Sequence, residues 1–130
     1  MSADPRVVDN ESQGILVLPF NIEVADTAPS LTTEDIGKPV ALTANNEISE
    51  GDDGEAFLGK LIGITDDRQV GLVQVGGVCT GLPYSGTAPV IGWPVQMSGE
   101  GTVDKGVTDG ICRGFTVNVD SGAVTCDVLL

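Results

Sequence analysis

Apolar runs of four to eight residues recur along this 130-residue chain, each bounded by turn-forming residues such as Gly, Pro, Asn, Asp and Ser. Regularly spaced runs of this length are typical of short β-strands joined by turns. β-Branched residues supply most of the apolar content, and Gly and Pro recur too often for long helices. The pattern predicts an all-β domain, either a sandwich or a small barrel of short antiparallel strands. Its clearest runs are 57–64, 70–75, 90–97, 115–119 and 124–130.

One short segment has helical features. In residues 30–37, Thr32 or Thr33 can cap a turn that begins with acidic residues and ends at Gly37. We expect one or two helical turns there.

Two antiparallel hairpins are predicted because polar turns separate neighbouring apolar runs. The strand pairs are 61–64 with 70–75 and 115–119 with 124–128, joined by turns 65–69 and 120–123. In the second hairpin, alternation with polar residues predicts one buried face. That face would carry Phe115, Val117, Val119, Val124, Cys126 and Val128.

The hairpins belong to a longer internal similarity at a spacing of 55 residues. Residues 37–51 aligned with 92–106 give four identical pairs, where this composition gives about one by chance. The pairs are Gly37 with Gly92, Pro39 with Pro94, Val40 with Val95 and Gly51 with Gly106. We therefore expect two similar units, about 37–75 and 92–130, joined by a Gly-rich connection over 76–91. Shared turn chemistry is the competing explanation.

Residues 1–34 are expected to form an extended N-terminal arm ahead of a single β domain over 35–130. The arm contains an apolar strand with no partner strand nearby in the sequence. Such a strand must pair with its own sheet or with another chain, because an exposed one promotes aggregation. Its residues are Ile15, Leu16, Val17, Leu18, Phe20 and Ile22. Trp93, between Gly92 and Pro94, is either a core anchor or an interface residue.

Composition narrows the possible partners and chemistry. With 19 acidic residues against 6 basic ones, the formal charge is -13, so a nucleic-acid backbone would be repelled. The chain has no His, the commonest general base and transition-metal ligand. No apolar run is long enough to span a membrane, and the first residues do not resemble a signal peptide. We expect neither nucleic-acid nor membrane binding, and a protein made in cytosol-like conditions.

The remaining candidate motifs favour structural interpretations. Cys79, Cys112 and Cys126 are widely spaced and are expected to be small buried residues. Residues 120–123, Asp-Ser-Gly-Ala, resemble the aspartic protease signature, but too little chain follows them for a protease subunit. The acidic loop 47–55 could bind calcium through its carboxylates or be an ordinary solvated loop.

Three segments carry a resemblance to a known family. They are 35–43 (DIGKPVALT), 53–64 (DGEAFLGKLIGI) and 70–78 (VGLVQVGGV), followed by the later Gly-Trp-Pro-Val strand at 92–95. Over about 35–130 the chain resembles the small capsid decoration, or cement, proteins of tailed bacteriophages. It departs from their pattern at 81–88.

This resemblance implies a β-barrel or β-tulip domain that acts without cofactor or catalysis. Such proteins bind the major capsid protein on the outer surface of an expanded capsid, as homotrimers, and stabilise the DNA-filled head. The implied location is the virion, after synthesis in the bacterial cytoplasm. The apolar arm residues, Ile15 to Ile22, and Trp93 are the expected capsid contacts.

Two other classes remain open. The first is a carbohydrate- or receptor-binding β module of a phage tail or cell surface, although such modules usually expose more Tyr and Trp. The second is an enzyme that uses two carboxylates, such as a glycoside hydrolase.

Overall fold

The computed structural model describes residues 15–25, 27–99, 101–106 and 112–130. In these residues it has twelve strands and one 3₁₀ turn, Thr33–Asp35, which confirms the predicted all-β class. The strands are β1 Leu16–Ile22, β2 Val24–Ala25, β3 Ala28–Pro29, β4 Pro39–Ala44, β5 Glu47–Ser49, β6 Phe57–Ile64, β7 Val70–Gly76, β8 Val78–Pro83, β9 Val95–Gly99, β10 Thr102–Lys105, β11 Phe115–Asp120 and β12 Thr125–Leu129.

Five strands form a closed barrel in the order β1-β5-β4-β6-β7, which we call the first barrel. Its neighbouring strands are antiparallel except for β1 and β5, a parallel pair that the sequence did not predict. The buried side chains of its interior are all aliphatic. The buried members are Ile22, Leu31, Val40, Ile48, Leu61, Val73 and Val75.

The apolar strand of the expected arm belongs to this barrel. β1 pairs with β7 along most of its length and with β5 at Asn21 and Ile22. Residues 15–25 are therefore part of the β domain rather than an arm outside it, because pairing within the chain satisfies the backbone groups of β1. Residues 1–14 lie outside the described residues.

The second half of the chain, β8 to β12, contains a two-stranded sheet of β9 and β10 and a three-stranded sheet in the order β11-β12-β8. Isolated bridges join the sheets: Val95 with Arg113, and Tyr84 with Val103 in parallel orientation. A second apolar core lies between them. It comprises Cys79, Leu82, Val95, Met97, Val103, Cys126 and Val128, together with Ala41 and Phe57 of the first barrel.

Backbone hydrogen bonds recur in the two halves at a spacing of 55 residues. The Gly37 amide donates to the Leu61 carbonyl over 2.7 Å, and the Leu61 amide donates to Lys38. In the second half, the Gly92 amide donates to the Thr116 carbonyl over 2.8 Å, and the Thr116 amide donates to Trp93. Gly37 and Gly92 both have positive φ, at 98° and 84°. Residues 55 apart therefore occupy equivalent positions in the backbone network.

The connection over 76–91 contains a strand, β8, that the sequence analysis missed. β8 holds the place in the second half that β1 holds in the first barrel. Ile22 is opposite Ile48 in parallel, and Tyr84 is opposite Val103, which is 55 residues beyond Ile48. Pro83, which lacks an amide hydrogen, stands where Asn21 donates to a carbonyl in the first barrel. The parallel contact is consequently shorter in the second half.

Both predicted hairpins are present, as β6-β7 and β11-β12. The predicted face of the second hairpin is wrong at three positions. A register shift between Thr116 and Asn118 places Thr116 inside and leaves Phe115 and Val117 exposed. The third, Val124, is exposed in the turn with φ 58°.

The predicted helical turn is confirmed as a single 3₁₀ turn. Thr32 caps it: the Thr32 hydroxyl accepts from the Glu34 amide, and Asp35 accepts from the Thr32 amide over 2.8 Å. This reciprocal capping explains why a chain poor in helix-forming residues turns here.

Candidate partner-binding surfaces

The predicted contact residues of β1 do not share one surface. Ile22 is buried in the first barrel, and Phe20 packs partly against the same core. Ile15, Leu16 and Leu18 remain exposed. Because β7 and β5 already pair with β1, its backbone along those contacts cannot add to a partner's sheet, and only side chains of this strand can bind a partner.

Trp93 lies in the second half, on a turn over residues 90–93 that we call the Trp93 turn. The Trp93 amide donates to the Val90 carbonyl over 2.9 Å, and Gly92 donates to Thr116 of β11. Apart from Gly92, every residue of this turn has an apolar, exposed side chain: Val90 is exposed by 40%, Ile91 by 58% and Trp93 by 39%. A fixed backbone thus presents adjacent apolar side chains to solvent.

The equivalent turn of the first barrel, residues 35–38, has the same backbone bonds and different side chains. The Lys38 amide donates to the Asp35 carbonyl over 3.0 Å, as Trp93 donates to Val90. Its ends are charged, and the Lys38 ammonium lies 3.3 Å from the Asp35 carboxylate. The turn therefore does not need apolar side chains at its two ends to form.

Lys105 of β10 places its ammonium 4.5 Å from the centre of the Trp93 ring. This cation–π contact holds one face of the indole in a fixed orientation. An exposed, oriented Trp is the side chain most enriched among residues that dominate binding energy at interfaces.

A second apolar surface was missed from the sequence. Phe115, Leu129 and Val78 are cross-strand neighbours on β11, β12 and β8, and their side chains are exposed by 60%, 41% and 40%. The alternation of β11 had predicted a buried Phe115. Only the register shift at Val117 explains this reversal, and the local sequence carries no clear signal for it.

The acidic loop 47–55 borders a groove of about 330 Å³ beside Glu23, Ser30 and Thr43. The Thr43 hydroxyl donates to Glu23 over 3.2 Å, and the Gly51 amide donates to Ser49. Among the described residues, no group of three or more acidic, Cys or His side chains could hold a metal ion. The geometry gives no support to the calcium interpretation.

The other candidate groups have structural surroundings. Cys79 and Cys126 are buried as expected, and Cys112 is half-buried. Burial raises the pKa of the Cys126 thiol to about 11 and also raises the pKa of Cys79, so both remain protonated thiols at neutral pH. Asp120 accepts from the amides of Gly122 and Ala123, which makes its Asp-Ser-Gly-Ala segment a hairpin turn.

Comparison with known proteins adds no relative. No family model matches the chain, and neither the curated proteins nor the solved structures give a match. No helix in the described part of the chain is long and apolar enough to cross a membrane. The exposed apolar surfaces described above are therefore the structural features that bear on function.

Proposed function

We propose that this protein is a capsid decoration protein of a tailed bacteriophage. It binds the outer surface of the expanded shell and cross-links neighbouring capsomers, and the Trp93 turn is its principal contact with the major capsid protein. The family resemblance over about residues 35–130 supports the class of protein, and the Trp93 turn supports the location of the contact.

The comparison of the two equivalent turns carries this proposal. Both have the same hydrogen-bonded backbone, but Asp35 and Lys38 of one become Val90 and Trp93 of the other. Both turns expose an Ile at the second position, so the difference lies in Val90 and Trp93, whose exposure costs solubility and contributes nothing that the charged turn lacks for folding. Adjacent exposed apolar side chains on a fixed backbone are typical of a protein–protein contact.

The net charge of -13 fits such a role. Mutual repulsion keeps the free protein from aggregating non-specifically before it binds, and an apolar contact that excludes charge can still form when a complementary surface is offered. Binding to the expanded shell and not to its precursor would then stabilise the expanded form by mass action.

Co-sedimentation with expanded, undecorated capsids tests the proposal, with procapsids as the comparison. The wild-type chain should bind expanded capsids saturably and leave procapsids unbound. Trp93→Ala and Ile91→Asp should each weaken binding by about 30-fold, the effect of losing an interface residue that contributes about 2 kcal/mol.

The matched control is Ile36→Asp, because Ile36 is the equivalent of Ile91 in the charged turn and is also exposed, by 43%. It should leave binding unchanged. An equal loss for Ile36→Asp and Ile91→Asp would remove the Trp93 turn as the contact. Failure of the wild-type chain to bind expanded shells of its own phage, with binding on a glycan array, would instead support the carbohydrate-binding module.

A further inference from the structure

The two halves of the chain contact each other through unlike surfaces, a side of the first barrel and an end of the second half. The side comprises Ala41, Phe57, Lys60 and Gln74, and we call it the covered side. Ala41 and Phe57 belong to the apolar core of the second half. Lys60 donates to the Thr80 carbonyl over 2.7 Å, and Gln74 donates to the Val78 carbonyl over 2.8 Å.

The covered end of the second half includes Cys79 and Met97, both fully buried. The Cys79 thiol lies 3.8 Å from the Gln74 carbonyl. The Met97 amide donates to Glu55, and Gly54 donates to the Met97 carbonyl, so β9 is bonded directly to the first barrel. The covered side of the first barrel therefore closes the covered end of the second half.

No part of the described chain covers the equivalent side of the second half. Residues 55 beyond the covered side are Gln96, Cys112, Phe115 and Leu129. Gln74 is only 6% exposed, whereas its equivalent Leu129 is 41% exposed. Lys60 is half-buried, whereas its equivalent Phe115 is 60% exposed and apolar. We call this surface the open side.

Among the described residues, nothing covers the equivalent end of the first barrel either. Leu42 is the equivalent of Met97, and it is 46% exposed where Met97 is fully buried. Leu18 is the equivalent of Cys79, because they pair with Val73 and Val128, which are 55 residues apart. Leu18 is 40% exposed. Leu18 lies near the start of β1, and Leu42 lies near the end of β4, which runs antiparallel to β1. Both leucines are therefore at the same end of the barrel, which we call the open end.

We propose that the open side of one copy closes the open end of another copy, repeating between chains the contact that joins the two halves within a chain. In this contact Leu129 would meet Leu18, as Gln74 meets Cys79, and Gln96 would meet Leu42. The occupant is a second copy because this chain already contains the complementary surface.

A contact between two unlike surfaces is heterologous, so it closes into a ring or continues as a filament. The contact surfaces named above contain no acidic residue, whereas each copy carries -13, so salt should strengthen the assembly by screening the repulsion between copies. The inference does not depend on capsid binding, since it concerns the purified protein alone.

Disulfide trapping tests the inference. Leu18→Cys and Leu129→Cys chains, each also carrying Cys112→Ser because Cys112 lies on the open side, are prepared separately, mixed and oxidised. A link between the two new cysteines must then join two copies. The mixture should give covalent dimers containing one of each variant, and each variant alone should not. Ile36→Cys mixed with Leu129→Cys is the matched control, because Ile36 is similarly exposed and lies outside the open end.

Native mass spectrometry of the unmodified chain supplies the second measurement. We expect a closed oligomer that Phe115→Lys and Leu42→Lys each dissociate. A monomer at concentrations up to about 1 mM would overturn the inference. Self-linked dimers of Leu129→Cys alone would also overturn it, since they indicate a two-fold contact between like surfaces. Either result leaves the capsid test unaffected.

Discussion

The first barrel and the second half share a strand order and a backbone hydrogen-bond network, but they differ in what their equivalent positions carry. Where the first barrel has Lys38, Gln74 and Lys60, the second half has Trp93, Leu129 and Phe115. Within the chain, Asp35 neutralises Lys38, and β8 accepts hydrogen bonds from Gln74 and Lys60. The second set is exposed and apolar. The difference separates what the fold requires from what is available for a partner.

At the ends of the two halves the pattern is reversed, because the exposed residue belongs to the first barrel and the buried one to the second half. Met97 is buried because the first barrel covers it, and Leu42 is exposed because no part of the described chain covers its end. A chain with two similar halves makes one contact between them, in which a side of one half covers an end of the other. The equivalent side and the equivalent end are left without that contact. Variants at equivalent positions can therefore measure the contribution of the shared backbone and of each contact separately.

The largest loss of stability is expected from substituting the glycines at equivalent positions of the two halves, Gly59 and Gly114. A Cβ at Gly59 would lie 2.1 Å from the Gln74 carbonyl oxygen, and one at Gly114 would lie 2.8 Å from the equivalent Leu129 oxygen. Gly59→Ala should lower the free energy of unfolding by at least about 3 kcal/mol, and Gly114→Ala by about 2 kcal/mol. Urea unfolding measures both.

Gly63→Ala is the control for these two variants. Its nearest contact would be an ordinary 3.5 Å to the side chain of Leu72, with no backbone strain. Its unfolding free energy should stay within about 0.5 kcal/mol of wild type. A small effect at Gly59 together with a large one at Gly63 would contradict the close packing of β6 on β7.

The next largest loss of stability is expected at Met97, in contrast to its equivalent Leu42. Met97→Ala removes a fully buried side chain and should cost about 3 kcal/mol of unfolding free energy. Leu42→Ala should cost less than about 1 kcal/mol in the monomer, because half of its surface is already in water. Unfolding should be measured at low protein concentration, where association does not contribute. Equal losses would mean that the first barrel does not protect Met97 preferentially.

A smaller loss of stability is expected from substituting Arg113, one of the side chains that join the halves. Its guanidinium donates to the carbonyl of Leu58 and, over 2.6 Å, to that of Val75. Arg113→Met keeps much of the apolar length but leaves these carbonyls without the donor, so a loss of about 2 kcal/mol is expected. Arg68→Met, in an exposed turn, is the control and should be near neutral. Urea unfolding measures this loss as a lower midpoint with an unchanged dependence of the unfolding free energy on urea concentration.

The sequence allowed the all-β class, both hairpins and the 55-residue spacing to be predicted, because these depend on local turn residues and alternation. Other features depend on long-range contacts. β8 was missed because Gly81 and Pro83 interrupt its apolar pattern, and its pairing is fixed by β12. The exposure of Phe115 depends on a register shift that alternation cannot reveal. For Trp93 the sequence left core and surface open, and the turn geometry settled its exposure.

The smallest effect concerns Asp104, whose equivalent in the first barrel is Ser49. One oxygen of the Asp104 carboxylate is buried without a hydrogen-bond partner, and burial raises the pKa of this group above its usual value. Because the folded state binds the proton more tightly than the unfolded chain, the ionised carboxylate opposes folding as pH rises through the folded pKa. Asp104→Asn should therefore increase the unfolding free energy at pH 7, by less than about 1 kcal/mol because solvent screens the group. The gain should disappear below the unfolded pKa, where both states of the wild-type side chain are protonated. Urea unfolding at pH 3 and pH 7 checks this, and a gain that persists at pH 3 would show that charge is not its cause.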